Sequence, residues 1–118
     1  KLTIDRYIEQ AVVIADKRKF VSALVVPAYK LLEEYAREQG LEFSSREELC
    51  QLEPVRQMLW QRIETLQQDL AHYEQVKRFT ILPKAFSLET GEITNTLKIK
   101  RRVVYEHYAT EIDAMYEN

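Results

Sequence analysis

The apolar positions of this chain change their spacing along its length, and each spacing predicts a different element. Two nearly continuous apolar runs, rich in β-branched residues, predict strands over residues 10–15 and 20–26. Only four polar residues, 16–19, separate them, which is a suitable length for a hairpin. We therefore expect an antiparallel pair at the centre of a sheet, covered on both faces.

After the second strand, apolar residues recur every three or four positions, which is typical of amphipathic helices. A first helix is predicted to end at Gly40, because glycine readily adopts the left-handed conformation found after helices. Ser44 or Ser45 is suited to cap a short second helix. The longest amphipathic pattern predicts a helix over about 54–73. Its expected core-facing residues are Val55, Leu59, Ile63, Leu66, Leu70 and Tyr73.

A third strand is predicted over residues 76–82, where β-branched and aromatic residues return ahead of Pro83. These elements together predict an α+β fold, with a small, mainly antiparallel sheet packed against helices. The chain has 118 residues, which is enough for one domain with a single modest core. A closing helix is predicted from the spacing of Val104, Tyr108, Ile112 and Met115.

The strongest chemical signal is the segment 89–102, which reads ETGEITNTLKIKRR. Gly91 favours a tight turn, and the threonines and asparagine that follow favour a loop. Lys98 is therefore expected on a surface loop ahead of the closing helix, where its ammonium can reach an anion held elsewhere. The simpler interpretation of such a cluster is a solvated basic face. Its four basic residues are Lys98, Lys100, Arg101 and Arg102.

The net charge, the cysteine count and the motifs that are missing narrow the possible classes of function. The net charge of −2 gives no global field for nucleic acid or an anionic membrane. Cys50 is the one cysteine, so we expect no disulfide and no metal site, and this thiol is expected to be buried. There is no glycine-rich phosphate loop, signal peptide or membrane-length apolar run, which favours a cytoplasmic location. Lys98 and Arg101 are conceivable ion-pair partners for Glu92, but no spacing marks Glu92 as a general base.

Three blocks of the sequence resemble successive blocks of one enzyme family. They are IEQAVVIADKRKFVSALVVP, YEQVKRFTILP and GEITNTLKIKRR, which together span nearly the whole chain. They resemble the C-terminal domain of long-chain acyl-coenzyme A synthetases (long-chain fatty acid–CoA ligases) in the acyl-adenylate-forming superfamily. That superfamily has an essential adenylation lysine near its C-terminus, and Lys98 occupies the matching position. Many relatives have glycine immediately before this lysine, where Leu97 stands here.

The resemblance implies that residues 1–118 are a single C-terminal lid domain of a larger enzyme. The N-terminal domain of such enzymes binds ATP, Mg²⁺ and the fatty acid, and the full enzyme forms an acyl-adenylate before transfer to coenzyme A. Lys98 would supply the adenylation lysine. Lys100, Arg101 and Arg102 would either contact coenzyme A or the N-terminal domain, or have a solvated or helix-supporting role. The family's hinge pattern is not found ahead of the first strand, so the fragment is expected to lack the hinge and to be inactive alone. Peripheral membrane association of the full protein remains open.

Two other functions remain open. The domain is also compatible with the lid of another adenylate-forming ligase, acting on an aryl, short-chain or amino acid, because a lid makes little contact with the tail of the acid. It is further compatible with a small α+β interaction module whose basic loop docks an acidic partner. RNA is disfavoured as that partner, because no exposed aromatic residues are interleaved with the basic residues of 95–102.

Overall fold

A three-stranded sheet with helices packed on it forms this domain, and a computed structural model describes residues 2–117. Short 3₁₀ turns at Leu2–Ile4 and His72–Glu74 precede the first and third strands. The longer elements, in chain order, are β1 (Ile8–Ile14), β2 (Val21–Pro27), α1 (Tyr29–Glu38), α2 (Arg46–Gln51), α3 (Glu53–Leu66), β3 (Val76–Ile81), α4 (Arg101–His107) and α5 (Ala109–Met115).

The strands lie in the order β1-β2-β3, and the α+β class predicted from the sequence is confirmed. β1 and β2 are antiparallel, as their short connection requires. β3 pairs with β2 in parallel, in a register that runs from Val21 opposite Val76 to Val25 opposite Ile81. The sheet is therefore mixed. The three helices between β2 and β3 form a crossover long enough for parallel pairing.

β2 is the central strand and all seven of its residues are buried. β1 pairs on one side only and forms an edge of this sheet, so the expectation that both strands are central is wrong for β1. Its burial alternates, with Glu9 exposed and Gln10 partly exposed, whereas Val12 and Ile14 are in the core. The apolar run in β1 predicted burial on both faces, but a strand at the edge of a sheet is covered less completely.

The long helix α3 ends at Leu66, seven residues before its predicted end. Val55, Leu59 and Ile63 are completely buried, as predicted. Leu66, Leu70 and Tyr73 are 37%, 47% and 78% exposed, so their predicted core positions are wrong. The helix ends before Gln67, its C-terminal cap, because the side chain of this residue bonds to the start of β3 and the backbone turns there.

The predicted closing helix is divided into α4 and α5 at Tyr108, whose backbone leaves the helical region. Its apolar stripe nevertheless packs as predicted, with Val104, Ile112 and Met115 buried. Cys50 is also buried, as expected of a structural thiol. The buried residues of the two closing helices therefore pack the C-terminal segment onto the core, with α5 against β3.

Candidate functional site

Lys98 lies on a short hairpin, residues 92–100, that leads into α4; we call it the lysine hairpin. Ile93 and Ile99 form an antiparallel bridge across it. The Lys100 amide donates to the Glu92 carbonyl at 2.7 Å. The two ends of the hairpin are thus joined next to the first turn of the helix. The predicted loop is therefore an ordered turn with its own hydrogen bonds.

The tip of the lysine hairpin is closed by three bonds to Thr94. The Leu97 amide donates to the Thr94 carbonyl at 2.8 Å, and the Thr94 amide donates to the Lys98 carbonyl at 2.8 Å. The Lys98 amide also donates to the Thr94 hydroxyl at 3.1 Å. A threonine at this position therefore orders the backbone on both sides of the lysine.

Leu97 has a φ of +65°, in the left-handed region that favours glycine. Glycine, which the resemblance leads one to expect at this position, adopts such a φ without strain. Leucine in this conformation carries roughly 1–2 kcal/mol of backbone strain. Its side chain is 72% exposed, so burial within residues 2–117 does not offset that strain.

The side chain of Lys98 is exposed, as the sequence predicts. Lys98 and Lys100 flank Ile99, which packs on the core, so the two lysines belong to the opposite, solvent-facing side of the strand. Among residues 2–117, no carboxylate lies within ion-pair distance of the Lys98 ammonium. Its positive charge is therefore available to an anion from outside the described part of the domain.

The base of the lysine hairpin contains a buried carboxylate, Glu92, whose partners differ from the two basic residues considered from the sequence. The Glu92 side chain is 4% exposed, and its Oε2 accepts a bond from His107 Nδ1 at 2.7 Å. Its Oε1 accepts a bond from the Thr90 hydroxyl at 2.7 Å. Glu92 thus pairs with neither Lys98 nor Arg101. The pairing spans 15 residues and two elements, and no spacing rule in the sequence indicates it.

Tyr108 is partly buried near this carboxylate. Burial raises the pKa of the Tyr108 hydroxyl, and the negative charges of Glu92 and Glu111 raise it further. The phenol therefore stays protonated well into the alkaline range.

Arg101 is exposed like the two lysines, but its guanidinium is bound within the domain. Its guanidinium donates to the Val13 carbonyl on the open edge of β1 and to the Tyr105 hydroxyl, the latter at 3.0 Å. Arg101 therefore attaches the first turn of α4 to the sheet. Its position makes it a support for the lysine hairpin, which ends one residue earlier.

Arg102 forms an ion pair with Glu106 at 3.8 Å, one turn along α4, and both side chains are largely exposed. A pair of this kind contributes little to stability. The four basic residues of the segment are therefore not gathered around one point. Lys98 and Lys100 project from the lysine hairpin, Arg101 bonds to the sheet, and Arg102 lies on the helix surface.

Two kinds of feature are absent from the described part of the chain. Residues 2–117 contain no group of three or more histidine, cysteine or carboxylate side chains placed to hold a metal ion. No helix among them has the length and apolar character needed to cross a bilayer. Two exposed lysines on an ordered hairpin, Lys98 and Lys100, are the main chemical feature of this surface.

Comparison with known proteins gives one consistent result. Residues 2–118 match the family model described as the AMP-binding enzyme C-terminal domain. The chain is 35% identical over 99 residues to human long-chain-fatty-acid–CoA ligase 1, covering 82% of this chain and 14% of the relative. It is 32% identical over 110 residues to a long-chain-fatty-acid–CoA ligase of Mycobacterium tuberculosis, covering 92% of this chain and 18% of that protein. The chain thus spans less than a fifth of the length of these relatives.

Solved structures show the same fold at lower sequence identity. The adenylation domain of a carboxylate reductase from Mycobacterium chelonae superposes with a TM-score of 0.78 at 22% identity, covering 99% of this chain and 17% of that one. A two-domain fragment of a carboxylic acid reductase from Segniliparus rugosus, solved in complex with AMP, has a TM-score of 0.75 at 22% identity, covering 98% and 14%.

Proposed function

This chain belongs to the family of AMP-binding enzyme C-terminal domains, and from that membership we propose that it is the lid of a long-chain fatty acid–CoA ligase. The full enzyme would join a fatty acid to ATP as an acyl-adenylate, release pyrophosphate, and transfer the acyl group to coenzyme A. Its N-terminal domain would hold ATP, Mg²⁺ and the acid. Residues 1–118 would form one domain that completes the site from outside.

The class of acid is proposed from the relatives. The two curated proteins described above are both long-chain-fatty-acid–CoA ligases by name, at 32% and 35% identity. The carboxylic acid reductases share the fold at 22% identity, which supports a common architecture and carries no argument about the acid. Long-chain fatty acids are therefore the favoured substrates over aryl, short-chain or amino acids.

Lys98 is proposed as the adenylation lysine, and its uncommitted ammonium on the lysine hairpin is the observation that carries the proposal. When a carboxylate attacks the α-phosphate of ATP, two anions approach and negative charge grows on the phosphoryl oxygens. A cation brought in by closure of the lid stabilises that charge in a site from which water has been excluded. Contacts of this kind are worth roughly 10²–10³ in rate.

The other basic residues have separate proposed roles. Lys100 is exposed on the same side of the hairpin as Lys98 and is a candidate for contacts with coenzyme A phosphates or with the N-terminal domain. Arg102 is a weaker candidate for the same contacts, because it already pairs with Glu106. Arg101 serves them indirectly by attaching α4 to the edge of the sheet.

The proposal is tested with the full-length protein that contains this domain. Pyrophosphate release is measured with ATP, Mg²⁺ and palmitate, and separately with acetate, benzoate or an amino acid. We expect turnover with palmitate to exceed that with the other acids, and we expect the isolated 118 residues to show none. Preferred turnover of an aryl, short-chain or amino acid would overturn the proposed substrate class. Turnover by the 118 residues alone would overturn the role of a lid.

A further inference from the structure

Glu92 connects three parts of the structure at the base of the lysine hairpin. Its carboxylate accepts one hydrogen bond from the turn before the hairpin, at Thr90, and one from α4, at His107. Its main-chain carbonyl accepts the amide of Lys100, where the hairpin ends. One buried residue therefore joins the start of the hairpin, its end and the last residue of α4.

We propose that Glu92 and His107 position Lys98 for adenylation by fixing the lysine hairpin to α4. We call this pair the Glu92–His107 clamp. Both are positioning residues, since their side chains bond to each other within the domain while the ammonium of Lys98 projects from it. The inference rests on the proposed function of Lys98 and adds a device that controls where that ammonium lies.

The hydrogen bonds of the lysine hairpin lie within the hairpin, so they order its turn but do not fix its direction relative to α4. A two-stranded hairpin is at best marginally stable in water without further packing. Here the two sides are joined by the bridge between Ile93 and Ile99 and by backbone bonds, and both isoleucines are partly buried against the core. The tip is exposed, with Leu97 72% accessible. The direction of the hairpin is therefore set by the packing of these two isoleucines and by the polar contacts of Glu92 at its base.

The chemistry of the clamp favours the hairpin orientation in which Glu92 stays bonded to His107. A carboxylate that is 4% exposed loses its hydration, and an unpaired buried charge is strongly unfavourable. Any rotation of the hairpin away from α4 would separate Glu92 from His107 and incur that penalty. The clamp therefore acts as an orienting restraint. Misplacing a catalytic group by about 1 Å can reduce a rate by about a hundredfold.

His107 is the better residue to change, because its side chain is 43% exposed and its removal leaves no cavity in the core. In the full-length enzyme, His107→Ala removes the donor to Glu92. His107→Asn restores an N–H donor close to the position of Nδ1. His72→Ala is the matched control, since the only other histidine is exposed and lies on the turn before β3, in a different part of the chain.

Three quantities are measured for each variant: amide hydrogen exchange in peptides covering residues 92–100, the rate of acyl-adenylate formation, and the rate of thioester formation from preformed acyl-adenylate. For His107→Ala we expect faster exchange in the hairpin and an adenylation rate lower by about tenfold or more. Thioester formation should change by less than about twofold, since Lys98 is not required there. His107→Asn should recover most of the adenylation rate, and His72→Ala should match the unmodified enzyme.

Two results would overturn the clamp while leaving the proposed function intact. One is unchanged exchange and adenylation in His107→Ala in an enzyme where Lys98→Ala abolishes adenylation. The other is an equal fall in both half-reactions together with a lower melting temperature, which would mark the pair as merely structural. By contrast, full adenylation in Lys98→Ala would overturn the proposed function itself, and the exchange rates would still decide whether the clamp orders the hairpin.

Discussion

The side-chain amide of Gln67 forms two hydrogen bonds with the backbone of Val76. Gln67 Nε2 donates to the Val76 carbonyl at 3.0 Å, and the Val76 amide donates to Gln67 Oε1 at 2.7 Å. The amide thus bonds to the first residue of β3 as a neighbouring strand would. The Gln67 carbonyl in turn accepts a bond from the Gln75 side chain at 3.2 Å. This set of bonds ends α3 and starts the strand that follows.

Gln67→Ala should lower the free energy of unfolding by about 2 kcal/mol or more, because it leaves the buried N–H and C=O of Val76 without partners. Gln61→Ala on the exposed face of the same helix is the matched control and should change it by less than about 0.5 kcal/mol. Urea denaturation of the 118-residue chain measures both. Equal effects of the two substitutions would contradict this role of Gln67.

Alkaline pH should destabilise the domain through Tyr29 and Cys50. Burial raises the pKa of both groups above its usual value, and the Tyr29 hydroxyl donates to the Leu82 carbonyl at 2.7 Å. The unfolded chain releases these protons near pH 8.5 for cysteine and pH 10 for tyrosine, while the folded chain retains them. Stability is therefore complete below about pH 8.5 and falls as the pH rises above it.

Tyr29→Phe tests this account with unfolding measured from pH 7 to pH 11. We expect a loss of about 1–3 kcal/mol at pH 7, because the Leu82 carbonyl loses its partner, and a shallower decline above pH 9 than in the unmodified chain. Tyr73→Phe is the matched control, since Tyr73 is 78% exposed. An undiminished alkaline decline in Tyr29→Phe would show that this phenol is not responsible.

Leu97→Gly should raise the free energy of unfolding by up to about 1 kcal/mol, because glycine adopts a φ of +65° without the strain that leucine carries there. Leu88→Gly is the comparison, since Leu88 is also exposed and has no positive φ. There glycine only loosens the chain and should lower stability by roughly 0.5–1 kcal/mol. Shifts of the same sign in both variants would argue against strain at Leu97.

Local patterns predicted the fold class and most element positions correctly, because each depends on residues close together in sequence. The strand runs, the stop at Gly40 and the buried stripe of Val55, Leu59 and Ile63 all belong to this kind of signal. The errors occurred where contacts with another element determine where an element ends or which residues are buried. α3 ends at Leu66 because Gln67 bonds to a strand nine residues away, and the apolar spacing that continues to Tyr73 carries no trace of that bond.

The features of the candidate site likewise divide into those that local sequence predicts and those that depend on a distant partner. The exposed position of Lys98 ahead of a helix follows from the turn residues and the basic run around it, so the sequence was sufficient to predict it. The partner of Glu92 was not predictable, since His107 reaches it only after the lysine hairpin folds back onto α4. The contact of Arg101 with Val13 joins residues 88 positions apart and likewise has no local signature.

The most direct test of the account compares the two half-reactions in full-length enzyme carrying Lys98→Ala. Acyl-adenylate formation should fall by about 10² or more, the scale of one lost preorganised electrostatic contact, while thioester formation from preformed acyl-adenylate should largely survive. Lys100→Ala, on the same side of the lysine hairpin, should be much milder in adenylation. Equal losses in both half-reactions with folding intact, or a larger adenylation defect for Lys100→Ala, would contradict the assignment of Lys98.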